Sequence, residues 1–391
     1  MDFRFTPEQE AFQKEVRAFF KELVAPEKTK GQEDFTELYG LKQPFERALR
    51  KAAGDAGYLG VAWPKEYGGQ GKDMLYQAIV AYEAAYVGAP VMDISVAMVA
   101  APLMLFGTPE QKAFFLPKIL RGELNICLGY SEPNAGSDLA NLETKAVADG
   151  DDYVINGRKI FTTGAHKADY SWFAARTDPD APKHKGISIF LIDMKTPGIK
   201  VEPVETMAGW IHYRLFLNDV RIPKTSLVGE LHRGWYQVAT ALDFERSNFS
   251  AYGQAQRLFD ELIHYCRIHW RNGRPLNKIP EVRQKLAQIS IDLSTGMRFT
   301  KRVAAMQAAG KVPNYEASMN KIWGSELLQR IALTGTQIMG LYGGLERGSP
   351  HAPEKGHFSY EYLHGIVGTI GAGSNEIQRN VIAQRGLGMP R

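Results

Sequence analysis

The chain has 391 residues, 44% of them hydrophobic, and a formal charge of +4 from 47 basic and 43 acidic side chains. That length predicts two or three lobes with large cores, and the lack of any block of like charge argues against a nucleic-acid stripe or a polybasic membrane patch. Cys127 and Cys266, the only cysteines, stand far apart outside any Cys-x-x-Cys spacing, which excludes a disulfide framework and a thiolate metal site.

The N-terminus, MDFRFTPEQEAF, is charged from its second residue and has no apolar core, so it does not read as a secretory signal. The longest apolar stretch, 94–106, is interrupted by Pro102 and falls short of the ~20 residues a membrane span needs. A cytoplasmic protein without a membrane span is expected. From Thr6 to about residue 122 the pattern is helical: Thr6-Pro7-Glu8-Gln9 is a capping box with proline at the first helical position, and Phe12, Val16, Phe19 and Leu23 recur at helical spacing. The loops WPKEYGGQG and FGTPEQ punctuate this lobe, the second leading into another capped helix.

Near residue 124 the period changes. VADGDDYVINGRKIFTT carries two hairpin signals, Asp149-Gly150 and Asn156-Gly157, and GISIFLIDM, IKVEPVE and YRLFLNDVRIP follow as strand candidates. From Gly234 helical periodicity returns over 235–270, 279–310 and 314–341, and TIGAGSNEIQRN then forms a glycine loop opening into a last helix closed by Gly386. The order is thus helical lobe, β-domain, long-helix domain, an α+β arrangement.

Four segments are candidates for chemistry. YSEPNAGSD, 130–138, packs small residues into a loop whose N–H groups and hydroxyls can reach a polar ligand, though a domain-joining turn explains it equally well. In RKIFTTGAHKADY, a strand ending at Gly164 would set Phe161 against a planar ring and Thr162 or Thr163 at its polar edge; a plain hairpin looks the same. Within ALDFERSNFSAYG, at ~100° per residue, Trp235, Val238, Leu242, Phe249 and Gly253 share a face with Arg246 near its centre and Glu245 at its edge. Charges on an apolar stripe are costly unless paired or used, so Glu245 and Arg246 form either a structural pair or a general base and its neighbour. The glycine loop offers N–H groups to an oxyanion, but Ala372 at its centre can neither take nor give a proton. Nine scattered histidines give no metal pattern, and neither a dinucleotide fingerprint nor a P-loop occurs.

Taken together, WPKEYGGQG, YSEPNAGSDLANL, GRKIFTTGAHKADY, the MAG…NDVRIP segment and GAGSNEIQRNVIAQRGLG, in this order, resemble the acyl-CoA dehydrogenase family over essentially the whole chain. The resemblance implies an N-terminal all-α domain (1–123), a middle β-barrel-like domain (124–232) and a C-terminal four-helix bundle (233–391). It also implies FAD as cofactor, an acyl-CoA substrate oxidised to the 2-enoyl-CoA, electron-transferring flavoprotein as acceptor, and a tetramer. By the same resemblance Tyr130, Ser131, Gly136, Phe161, Thr162 and Thr163 are cofactor-binding. Ser131 sits at the flavin's pyrimidine edge, Thr163 near N5, and Phe161 takes the place of an aromatic, commonly tryptophan, beside the ring. Gln337, Gly373, Ser374 and Glu376 match further FAD contacts, Gln337 across a subunit interface, while Ser137 matches a contact to CoA.

In many members of that family the place of Ala372 holds the glutamate that removes the α-proton. A smaller set, including isovaleryl-CoA and steroid-side-chain enzymes, carries the base on the helix in an LDxER-type segment resembling Leu242-Asp243-Phe244-Glu245-Arg246. Glu245 is therefore the expected base, with Arg246 and the Ala372 backbone N–H facing the substrate. Gly209, Trp210 and Tyr252 are candidates for the pocket wall. One departure concerns an R-x-x-F-G segment that reaches the FAD of a neighbouring subunit; here the region reads YCRIHWRNGRPLN, with Arg267 and Trp270 in its place. That departure makes a heterotetramer with a paralogous subunit an alternative to a homotetramer. Two other readings stay open: an oxygen-using acyl-CoA oxidase, and a non-catalytic partner of an active paralogue.

Overall fold

A computed structural model describes residues 4–34, 40–238 and 249–390. The helical lobe begins with α1 (Pro7–Leu23), where Gln9 N donates to Thr6 Oγ1 at 3.2 Å and Thr6 N to Gln9 Oε1 at 3.0 Å, closing the capping box. It continues through α2 (Pro26–Thr29), α3 (Gln43–Asp55), α4 (Met74–Val87), α5 (Ala100–Phe106) and α6 (Pro109–Leu120). Thr108 and Gln111 build a second capping box on α6. Ahead of α5, Ser95–Val99 winds as a wider π-type turn in which Ala100 N–H donates to Ser95 O. Asp93 braces this turn through Ser95 Oγ and Val96 N and pairs with Arg50, while Ser95 Oγ accepts from Ile126 N at 2.9 Å.

Eight strands follow: β1 (Ile126–Gly129), β2 (Lys145–Asp149), β3 (Asp152–Lys159), β4 (Tyr170–Arg176), β5 (Ile187–Asp193), β6 (Ile199–Glu205), β7 (Ile211–Pro223) and β8 (Leu227–Val228). They join in the order β6-β7-β3-β2-β4-β5-β8, with β1 parallel on β4. Alternation along β4 splits the strand between two cores. Trp172 and Ala174 pack with the N-terminal helices, and Phe173 and Ala175 with the sheet's own interior.

Two local expectations change. Asp149 pairs with Asp152, so a hairpin turns between them, but Asn156-Gly157 is no turn; it lies within β3 at a register shift against β7. A Cβ at Gly157 would stand 2.4 Å from Thr144 Oγ1, and φ there is +153°, so the bulge requires glycine. Strand β3 ends at Lys159 rather than Gly164, because Phe161 takes a left-handed backbone with φ +57° and breaks the pleat.

Helical structure resumes at 234–238 and again in α7 (Phe249–Ile268), separated from α8 (Pro280–Ala308) by a short hairpin of β9 (Trp270–Arg271) and β10 (Arg274–Pro275). Next come α9 (Tyr315–Met339), α10 (His357–His364), α11 (Ile366–Ile370) and α12 (Asn375–Val381), the last three packing on α9. The two helical lobes meet where α4 crosses α7: a Cβ at Gly253 would lie 2.3 Å from Tyr82 O, so only glycine permits that approach. No helix of the described residues is long and apolar enough to cross a membrane.

Candidate active site

A buried ion pair organises the first candidate segment. Lys159 Nζ, at the end of β3, lies 2.7 Å from Glu132 Oε1 and 3.2 Å from Tyr130 O, with both charged side chains almost fully buried. Glu132 also accepts from Glu143 N and Thr144 N at 2.6 and 3.0 Å. Burial opposes its charge, yet Lys159 and these N–H donors hold the carboxyl below the usual range. Glu132 and Lys159 were not among the sequence candidates; a glutamate inside the small-residue loop 130–138 and a lysine ahead of the apolar pair Ile160-Phe161 were the available signals.

This pair draws two candidate segments together. Ile160 N donates to Ser131 O at 2.9 Å, bringing Tyr130 and Ser131 beside Phe161, Thr162 and Thr163. The Phe161 ring is 56% exposed and stands edge-on to His212 at 5.4 Å. Thr163 Oγ1 lies 3.4 Å from His212 Nδ1, and Thr162 Oγ1 is buried without a hydrogen-bond partner among the described residues. Gly136 and Ser137 lie exposed on the loop beyond Glu132, with open space around Gly136.

Thr163 opens on a cavity of about 680 Å³ between this edge and the helical lobe. Met74, Ala78, Ile94, Met98, Ala101 and Phe249 give it an apolar wall. A second cavity, of about 840 Å³, lies between the end of α4, α7, α9 and the 347–372 segment, and Ala372 lines it. Trp210 borders both, wedged 4.2 Å from the His212 ring and 4.5 Å from that of His364. Burial lowers the pKa of both histidines, which leaves them neutral at neutral pH. The start of α7 also faces both, Phe249 and Ser250 toward the first cavity and Ala251 and Gln254 toward the second. Tyr252, by contrast, is fully buried against Gly296 and Asn320 and is core rather than pocket wall. Glu245 and Arg246 lie outside the described residues.

The glycine loop ends at Ser374, which caps α12 by accepting from Ile377 N at 3.4 Å. Ala372 holds φ +54° and Gly373 +85°, and the Gln378 amide ties down both carbonyls. Glu376 is exposed, and its own N–H and Ser374 lower its pKa. Gln337 borders neither cavity; exposed near the end of α9, it accepts from Lys285 Nζ at 2.8 Å. Arg267 and Trp270 are exposed at and beyond the end of α7, Trp270 by 66%.

Models of the acyl-CoA dehydrogenase N-terminal, middle and C-terminal domains match residues 6–123, 127–220 and 232–387. The chain belongs to the acyl-CoA dehydrogenase family. It is 36% identical over 399 residues to acyl-CoA dehydrogenase FadE26 of Mycobacterium tuberculosis, covering 100% of this chain and 99% of that protein. Two solved structures share 35% identity with it and cover 100% of both chains. These are the Tcur3481-Tcur3483 steroid ACAD, with a TM-score of 0.91, and the ChsE4-ChsE5 complex from Mycobacterium tuberculosis, with 0.90. This acyl-CoA dehydrogenase is therefore an oxidoreductase of a family that binds FAD. The Phe161–Thr163 edge fits such a cofactor: an exposed aromatic is free to flank a planar ring, a half-exposed hydroxyl faces the cavity, and Thr162 contributes a buried hydroxyl without a partner among the described residues.

The polar wall of the second cavity carries no motif of its own. Arg257 and Glu261 pair at 3.0 Å along α7, His357 Nδ1 meets Glu261 Oε2 at 2.6 Å, and Gln254 donates to Glu361 Oε1 at 2.8 Å. Burial opposes the charge on His357, but hydrogen bonds to Glu261 and Glu361 prevail and raise its pKa to about 9. The spacing His357, Glu361, His364 on one short helix was the legible trace.

Proposed function

We propose that the chain dehydrogenates an acyl-CoA thioester between C2 and C3, with Glu245 as the base that takes the C2 proton. One observation carries the assignment: Ala372, which has no proton acceptor, and the start of α7 line the same cavity. Glu245 precedes Phe249 by four residues in the LDxER segment, so the chain can carry a carboxylate toward the junction at Trp210. A thioester α-proton is too weakly acidic for a carboxylate unless the carbonyl oxygen is stabilised as it gains charge. Ala372 N–H makes no hydrogen bond among the described residues, which leaves it available to that oxygen. Phe161 and Thr163 would hold the flavin ring, with Ser131 at its edge. When bound, FAD supplies the hydride acceptor for C3.

The acyl group is bulky, of the steroid class in the name of the Tcur3481-Tcur3483 steroid ACAD; two cavities meeting at Trp210 offer the space. The assembly is a heterotetramer with a paralogous subunit, in keeping with two-component relatives that match this chain end to end. Gln337 and Trp270, both exposed, would face the neighbour. Electrons leave to an electron-transferring flavoprotein. FAD-loaded protein, given straight, branched, dicarboxylic and steroidal acyl-CoAs without oxygen and with an artificial acceptor, should yield a 2-enoyl-CoA from the bulky members. Peroxide formed in air at the same rate would assign an oxidase instead, and no product from any member would refute the reading.

A further inference from the structure

The second cavity holds more polar capacity than the fold uses. Its small lining residues, among them Ala85, Gly88, Ala89, Ala251 and Gly368, leave room for a group of some bulk. Its polar wall is mostly satisfied internally: Arg257 and His357 serve Glu261, and Gln254 and His357 serve Glu361. Lys321 donates to Asn375 Oδ1 at 2.8 Å.

Three groups are left over. The Arg347 guanidinium lies 3.6 Å over the Tyr360 ring but forms no hydrogen bond or ion pair among the described residues. Glu361 Oε2 and His364 Nδ1 are buried and also lack partners there, and Glu361 is only 2% exposed. All three residues line the cavity. Charge is unequal too. Among the described residues, and with His357 protonated, the wall carries five cations (Arg257, Lys321, Arg347, Lys355, His357) against three carboxylates (Glu261, Glu354, Glu361). A half-buried guanidinium with no acceptor is costly to keep unless a ligand oxygen completes it.

We propose that this cavity is the subsite for the far end of the acyl group and that this end carries a carboxylate, bound by Arg347 with the His364 ring at its flank. The assignment rests on the acyl-CoA reading above and narrows its substrate to acyl chains with an acidic terminus. Ala372 and Ala251 place this subsite beside the loop and helix assigned to the thioester. The planar fork of arginine suits a carboxylate in a way that a lysine does not.

Calorimetry on the FAD-loaded protein tests it with two 2-enoyl-CoAs of equal chain length, one ending in methyl and one in carboxylate, beside free CoA. These are product-state ligands, so binding is read without turnover. The carboxylate ligand should bind roughly 10- to 100-fold tighter than its methyl counterpart. R347M should erase that preference and R347K retain part of it. Equal affinities in the wild-type protein, a preference that survives R347M, or an equal weakening of free CoA by R347M would each overturn the proposal. The first comparison needs no variant, so it stands even where a substitution fails to fold. Failure of the acyl-CoA reading itself has a separate signature: neither enoyl-CoA binds.

Discussion

Ala372 sits where a side chain is unwelcome. Its φ of +54° is left-handed, a region that costs an L-residue about 1–2 kcal/mol. Glycine would relieve that cost but has more freedom to lose on folding, so A372G should stabilise the protein by about 0.5–1 kcal/mol in urea denaturation. His357 makes a pH-dependent contribution whose sign follows from its partners. Its folded pKa of about 9 exceeds the ordinary 6.5, so its contribution is whole below pH 6.5 and is lost as pH rises toward 9. Glu261 is the mirror case: burial opposes its charge, yet His357 and Arg257 hold it at about 2, so its contribution is whole above 4.5 and fades as pH falls. Urea midpoints measured across pH should therefore decline between 6.5 and 9, and H357Q should flatten that limb.

At the scale of elements, the Glu132–Lys159 pair ties β3 to the loop that carries Ser131. Removing one partner leaves a buried charge uncompensated, which costs about 3–5 kcal/mol, whereas replacing both with neutral groups of similar size costs far less. K159M should thus destabilise strongly and lower the affinity of the apoprotein for FAD, and the double variant E132Q/K159M should recover most of the stability in guanidinium unfolding. What was legible here was local. Both helix caps and, within the described residues, the long helical stretches followed from neighbouring side chains, and the Asp149-Gly150 hairpin from turn chemistry. The end of β3 and the nature of Asn156-Gly157 were not legible, because the first depends on the left-handed backbone at Phe161 and the second on Thr144, distant in sequence, which fills the space beside Gly157.

Across the whole molecule, the motifs predicted which segments converge but not what the second cavity contains. Arg347, Glu361 and His364 come to one cavity with Arg257 and Glu261 because α10 packs on α9 and its His357 and Glu361 reach Glu261 and Gln254 of α7, long-range contacts with no motif of their own. The assembly belongs to this scale: native mass spectrometry after co-expression with a paralogous subunit should give a tetramer containing both chains, and a stable tetramer of this chain alone would remove the need for a partner. The central claim is that Glu245, not the loop at 372, removes the proton. Stopped-flow loss of oxidised-flavin absorbance, with acyl-CoA added anaerobically to wild type and E245Q at equal FAD content, tests it most directly. The account predicts a rate reduced by about 10²–10⁴-fold in E245Q with binding retained; reduction at the wild-type rate would contradict it.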